Sequence, residues 1–336
     1  MDSLTHIVLG ACVGEVVAGK RLGKTALVAG AVAQSIPDLD FVASFWMSPA
    51  NDLLAHRGFT HSFLFIVLIT YPLALTLVRW KWIPPMSVRS WSGFILLELF
   101  IHIFLDAFNA YGTAWFEPFS HHRVSFNSLF VLDLFYTVWP LLAACFLLFI
   151  PRLHPKRLPI AWLGIALSSM YLIYGLINKE IIRPYIESSL DKQQISYDRY
   201  FSTPTPGNVW LWYIVAEDSS GLHVGYRSVF DTQAEIPFQY FNKNKQLLDS
   251  IHDHEDVQHL IRFSEGYYIV SQYQDRLVFN DLRFGQMMGW SDPRAPFVFY
   301  YFLEHPADNE LIIQRGRFER WDKEALNSFI SRIQGI

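Results

Sequence analysis

Seven imidazole and carboxylate side chains, His6, Asp38, Asp40, His56, His61, His102 and Asp106, sit in or beside apolar segments of this 336-residue chain. Ionisable groups in such places are costly, face inward and mark sites. Their spacing sorts them. Asp2, His6, Gly10 and Gly14 recur every four residues, one stripe of a helix, with the two glycines as a face for close helix approach. Asp38 and Asp40 follow Pro37, which ends a helix. If the segment is extended they point the same way, and two crowded carboxylates repel unless a cation lies between them. His56-Arg57-Gly58-Phe59-Thr60-His61-Ser62 sets two histidines around a glycine turn, with Thr60 or Ser62 as a helix cap. Glu98, His102 and Asp106 are spaced i, i+4, i+8 on one helical face, with Asn109 close to it, and Asp133 opens the next apolar run.

Imidazoles and carboxylates without thiolates suit Zn²⁺, the usual hydrolytic ion, or else Mn²⁺ or Fe. More than four candidate ligands suggest two or more ions. Glu98 or Asp133 is expected to serve as general base or to support a ligand from behind. Glu98 lies two turns from Asp106, about 12 Å along the helix, so the acceptor expected for the second N–H of His102 is Glu98. Arg57 is a fixed cation suited to a substrate phosphate or carboxylate. His121 and His122 read as solvated loop residues. Taken singly, the His6 stripe also suits plain helix packing, Pro37-Asp38-Leu39-Asp40 a solvated turn, and the Glu98 face a polar network between helices.

The elements that must position these groups are membrane helices. Hydrophobic residues make up 51% of the chain and charged residues only 17%, against about 25% in ordinary soluble proteins. Residues 1–178 hold 20 charged residues, net +2, whereas 179–336 hold 38, net −6. Disorder, a collagen-like chain and a basic nucleic-acid binder are excluded. Apolar stretches at 62–78, 128–150, 158–178 and 91–108 are joined by shorter ones at 4–19 and 25–36, and six spans are expected. Lys20, Arg21 and Lys24 would be buried in hydrocarbon at the tip of a re-entrant hairpin, so the two short stretches are read as true spans. No cleavable signal peptide is expected, since Asp2 stands where a cation belongs. Lys20, Arg21 and Lys24, then Arg79, Lys81 and Arg89, then Arg152, Lys156 and Arg157 mark alternate loops and assign them to the cytoplasm. All seven candidate ligands and Asp133 then share the outer face, and the C-terminal half is periplasmic. That half reads as strands at 209–216, 222–230, 266–273, 277–282, 296–303 and 310–315, with a closing helix at 322–333. The fold class is an α-helical multi-span membrane domain of about six helices at 1–178, followed by a β-rich soluble domain at 179–336. Cys12 and Cys145 lie in apolar runs and make neither a disulfide framework nor a thiolate metal site.

Met1-Asp2-x-x-Thr5-His6, Pro37-Asp38-x-Asp40, His56-Arg57-Gly58-x-Thr60-His61-Ser62 and His102-x-x-x-Asp106 with Tyr111-Gly112-Thr113 together resemble the bacterial YdjM-like family of inner-membrane metal-dependent hydrolases. The resemblance covers residues 1 to about 140, and Phe279-x-Asp281-Leu282-Arg283-Phe284-Gly285 looks like a strand of the same family. It implies that the matching histidines and aspartates form a metal site and that the reaction is a hydrolysis. The ligand set also looks loosely like zinc-dependent phospholipases C, although their N-terminal tryptophan is missing. The expected function is a membrane-embedded hydrolase that uses metal-activated water on a lipid or lipid-linked phosphoester, with membrane lipids as partners and no nucleic acid. The alternatives are a metal or proton transporter and a non-catalytic scaffold with a structural metal.

Overall fold

Gly23, with φ at +62°, turns the chain sharply enough to join α1 (Ser3–Leu22) to α2 (Lys24–Ser35) directly. The two helices pack along small residues. A methyl group on Gly30 would overlap the Gly10 carbonyl, and one on Gly14 would overlap the carbonyl of Ala26. The expected glycine stripe of α1 is therefore used, and its partner is the next helix in the chain. The computed structural model describes residues 1–80, 85–249, 251, 255–273, 276–303, 309 and 321–336.

Pro37 ends α2, and the chain continues as a 3₁₀ segment, Pro37–Phe45, then α3 (Pro49–Ala55) and a short 3₁₀ turn, Phe59–His61. Ser62 caps α4 (Phe63–Arg79) by accepting from Phe65 N–H, and Ser87 caps α5 (Val88–Asp106) in the same way through Ser90. α5 packs against α1, α2 and α4. Its buried residues Trp91, Phe94, Ile95, Leu99 and Ile103 share a core with Ala26 and Ala33 of α2 and Ile66 and Ala74 of α4. Asp133 caps α6 (Leu134–Phe149). Pro140 inside α6 cannot donate to the Tyr136 carbonyl, and the Ser168 hydroxyl of α7 (Arg157–Lys192) donates to it at 2.8 Å instead.

The expectation of six spans is corrected. Among the described residues three helices, α1, α5 and α7, are long and apolar enough to cross a membrane, and up to five if each of two bent pairs counts as one span. The bent pairs are α2 with Pro37–Phe45, at 50°, and Pro49–His61 with α4, at 59°. α2 has 12 residues and rises only about 18 Å on its own. The 128–150 stretch loses its first residues because Asp133 starts the helix late, leaving 16 residues and about 24 Å. Lys81, used above for orientation, lies outside the described residues.

The chain divides into two compact units. The first holds Met1–Val42, Ala55–Tyr174 and Pro206–Asn208; the second holds Ala43–Leu54, Gly175–Thr205 and Val209–Ile336. The division falls inside α7, just ahead of residue 178, and the segment Ala43–Leu54 groups with the second unit. That unit contains two antiparallel sheets. One runs β1 (Arg199–Pro204), β2 (Leu211–Glu217), β3 (Gly221–Ser228), β4 (Gln239–Asn242). The other runs β5 (Tyr268–Tyr273), β6 (Arg276–Gln286), β7 (Phe297–Phe302). Trp212, Ile214 and Ala216 alternate onto one face of β2 and bury Ile182, Ile186 and Leu190 of α7. α8 (Glu255–Phe263) precedes β5, and α9 (Lys323–Gln334) forms at the expected closing helix. The strand expected at 310–315 lies outside the described residues. β1, β4 and α8 carry too many polar residues to stand out by composition.

Candidate metal centre

Three local structures aim side chains at one point. The 3₁₀ segment after Pro37 presents Asp38, the turn at Gly58 presents His61, and α5 presents His102 and Asp106 one turn apart. One atom from each of these four residues lies within 4.8 Å of the other three. His61 Nε2 is 3.1 Å from His102 Nε2, 3.5 Å from Asp38 Oδ1 and 3.4 Å from Asp106 Oδ2. His102 Nε2 is 3.5 Å from each carboxylate. His61, His102 and Asp106 have no exposed side-chain surface, and Asp38 retains 17%.

The neighbours fix which ring nitrogens are bare. His102 Nδ1 lies 2.5 Å from the Gln34 carbonyl, which only accepts, so Nδ1 carries the proton and Nε2 a lone pair. The Thr60 hydroxyl donates to Asp40 Oδ2 at 3.1 Å and therefore accepts from His61 Nδ1 at 3.0 Å, which leaves His61 Nε2 bare as well. Asp106 Oδ2 is buried without a hydrogen-bond partner. Two imidazole lone pairs and two carboxylate oxygens thus face one another in a buried space. One proton could bridge the nitrogens but would leave Asp106 Oδ2 without a hydrogen bond; a divalent cation serves all four. A tetrahedron of ligands about 2.0–2.2 Å from an ion has edges of about 3.3–3.6 Å. Four of the five separations above, at 3.4–3.5 Å, fall in that range and the fifth, 3.1 Å between the two nitrogens, lies just below it, so the four residues fit a zinc-sized ion.

The remaining candidates surround this group and stand outside it. His6 stacks on His102 with ring centroids 3.8 Å apart, and its Nε2 meets Asp106 Oδ1 at 3.1 Å, an oxygen that the Met1 amino group also reaches. Asp40 accepts from the Arg57 backbone N–H at 3.0 Å, from Thr60, and faces His56 Nδ1 at 3.0 Å. The extended segment expected at Asp38-Leu39-Asp40 is instead 3₁₀, in which residues two apart diverge. Asp38 therefore meets the imidazole Nε2 atoms while Asp40 works behind His61. His56 is one-third exposed, with its ring 6.1 Å from that of His61. Among the described residues these candidates make one group that could hold an ion, of four residues.

Three expected roles change. Arg57 is 3% exposed, with Nη1 donating to Asn109 Oδ1 at 2.8 Å, Nη2 to the Met1 carbonyl at 3.2 Å, and Nε 3.4 Å from Asp106 Oδ2. Its φ of +58° is unusual for a side-chain-bearing residue, and these bonds hold it there. Its guanidinium is therefore turned inward, onto Asn109, the Met1 carbonyl and Asp106. Asp133 accepts from Phe135 and Tyr136 N–H and from the Tyr171 hydroxyl, as a helix cap outside the four-residue group. Glu98 does not meet His102. It accepts from the Gln34 side-chain amide at 3.0 Å, and the Gln34 backbone carbonyl meets His102. Gln34, a lone amide near the end of an apolar helix, is the sequence signal for this contact, and its side chain is fully buried. Because a backbone carbonyl orients His102, Glu98→Gln should leave metal content unchanged and Glu98→Leu should weaken affinity less than the roughly 10–100-fold that follows loss of a direct partner. A larger loss in a metal titration of Glu98→Leu would show that Glu98 supports the ion more directly.

The family model described as YdjM inner membrane protein matches residues 1–182, which include every residue of the cluster. The uncharacterized protein YfhP of Bacillus subtilis is 25% identical over 333 residues, covering 91% of this chain and 92% of that protein. The inner membrane protein YbcI of Escherichia coli is 28% identical over 122 residues, 36% of this chain and 69% of that protein. No solved structure matches.

Proposed function

Because the chain belongs to the YdjM inner membrane protein family, we propose that it is a membrane-embedded, metal-dependent hydrolase acting at the outer face of the bacterial inner membrane on a lipid or lipid-linked phosphoester. The observation that carries this reading is the set of four converging acceptor atoms, all within 4.8 Å of one another, with the tautomers of both imidazoles dictated by their partners. Asp38, His61, His102 and Asp106 hold the ion, with Zn²⁺ the first candidate and Mn²⁺ or Fe next. When bound, such an ion lowers the pKa of water towards about 7 and polarises a phosphoryl oxygen.

The chain's own residues supply the rest. The Gln34 carbonyl and Thr60 lock the two imidazoles, and His6 fixes Asp106. Asp38 alone of the four meets solvent, with Oδ2 within 3.4 Å of the Ser3 hydroxyl. We assign it the proton released as water attacks phosphorus, which it passes on to the ester oxygen as the P–O bond breaks. The C-terminal unit is proposed to lie in the periplasm and to select the head group. A transport path is less well supported, since the deep acids are engaged, Glu15 by Arg157 and Glu98 by Gln34.

Two measurements test the reading. Protein loaded with Zn²⁺ in nanodiscs should release phosphate or a phosphorylated head group from at least one member of a panel of phospholipids and lipid-linked phosphates, and His61→Ala should not. Stoichiometric metal with no turnover on any phospho- or acyl-lipid would leave a structural metal site in place of an enzyme. A reporter active only in the periplasm, fused after residue 336, should be active; activity confined to a cytoplasmic reporter would remove the outer-face placement.

A further inference from the structure

An apolar groove of about 340 Å³ runs along α2 between α2 and α4, with α5 beneath it. That volume lies within the range of small-ligand sites. Thr25 and Ile36 mark its two ends on α2, Ala29 lies between them, and Leu77 of α4 and Phe94 of α5 complete the walls. One of its two hydroxyl residues, Thr76, gives its proton to the Pro72 carbonyl at 3.0 Å, so the groove offers that group no use as a donor. The other, Thr25, stands at one end, the rest of the lining is apolar apart from two indole rings, and the walls are the segments that the apolar pattern assigns to the membrane.

Length and direction say what fits. From Thr25 to Ile36 is eleven helical rises, about 16 Å. The hydrocarbon core is about 30 Å thick, so the groove has about half that length. At its upper end Ile36 is followed by Pro37 and then Asp38, the partly exposed member of the four-residue cluster. Along α5 the floor residues Trp91, Phe94 and Ile95 lead to Glu98 and then His102 on the same buried face. The groove and the cluster are therefore successive parts of one track on two helices.

We propose that this groove is the acyl-chain site for a phospholipid whose phosphate lies at Asp38, His61 and His102. The inference rests on the hydrolase reading only in placing a phosphoester at the cluster; chain binding is measurable without turnover. An acyl chain docked along α2 fixes the depth and rotation of the head group, so a membrane lipid arrives with its phosphate at the height of Asp38. Short-chain, water-soluble phosphoesters lack that anchor.

The test uses full-length protein loaded with Zn²⁺ in nanodiscs doped with phosphatidic acid carrying a diazirine in the middle of one palmitoyl chain. After irradiation, labelled peptides should concentrate on α2, on Leu77 and on Phe94, over outward-facing positions such as Val67 and Leu142. Ala29→Trp, which fills the groove from α2, should cut this labelling by tenfold or more while retaining wild-type metal content; Leu77→Trp, filling from α4, serves if the first variant loses metal. Unlabelled dipalmitoyl phosphatidic acid should compete and the dihexanoyl form should not. His61→Ala should reduce the labelling too, because the phosphate anchor is lost. Even labelling over all lipid-facing helices, or insensitivity to both tryptophan variants, overturns the groove. Undiminished labelling in His61→Ala overturns its link to the cluster. Labelling as expected without phosphate release leaves the chain site standing and removes the hydrolase.

Discussion

His61→Ala and Asp106→Ala, purified from the membrane, should each lose bound metal and with it any hydrolytic turnover, whereas Cys145→Ala should change neither. Both side chains are fully buried, and each contributes one of the four converging atoms. Removal leaves three ligands and a void that water must fill, so the loss in affinity should exceed the roughly 10–100-fold that follows deletion of a supporting partner. His6→Ala supplies that smaller reference, since His6 reaches only the other oxygen of Asp106. Metal content by elemental analysis, with a competition titration for affinity, orders the variants. Wild-type metal in both His61→Ala and Asp106→Ala would remove those residues from the site. An effect of His6→Ala as large as that of His61→Ala would make His6 a ligand.

Arg157→Met should destabilise the membrane unit by about 3–5 kcal/mol, the usual cost of leaving one buried charge without its partner. Arg157 grips Glu15 with Nε at 2.8 Å and Nη2 at 2.6 Å, and the two side chains are 3% and 5% exposed. Its Nη1 donates to the Leu147 and Ile150 carbonyls at 2.8 and 2.7 Å, satisfying the C-terminal end of α6. Methionine matches the stem and removes every one of these bonds. Glu15→Gln combined with Arg157→Met should recover much of the loss, because no bare charge then remains. Reversible unfolding in mixed micelles measures both. An Arg157→Met variant within 1 kcal/mol of wild type would mean that water reaches Glu15, and the pair would then be a solvated contact.

How much of this could be read from residue types and spacing depends on how local the cause is. The Glu98–His102–Asp106 face was legible because 3.6 residues per turn stacks i and i+4, and α5 obeys that geometry throughout. The strands around Trp212 and Phe299 were legible from aromatic and β-branched runs. The span count differs for a reason equally local: Asp133 caps a helix and shortens an apolar run that is continuous by composition. Asp38 and Asp40 were paired on the assumption of an extended chain, and a 3₁₀ turn sent one to the imidazoles and the other behind Thr60.

The amino-acid sequence by itself determined the chemistry available: imidazoles and carboxylates without thiolates, in apolar segments where their cost demands a partner. It also determined that Gly10 and Gly14 would let another helix approach closely. Only the tertiary structure decided which four of the seven candidates converge, and which serve behind them. Side-chain periodicity names a helix face but not the nitrogen that a ring presents, and that choice belongs to groups with no side-chain signature. The Gln34 carbonyl turns Nε2 of His102 inward, although every residue has a carbonyl and no motif can single one out. Glu98, placed by spacing alone beneath His102, yields that position because α2 packs against α5 and brings a backbone acceptor closer than the carboxylate can come.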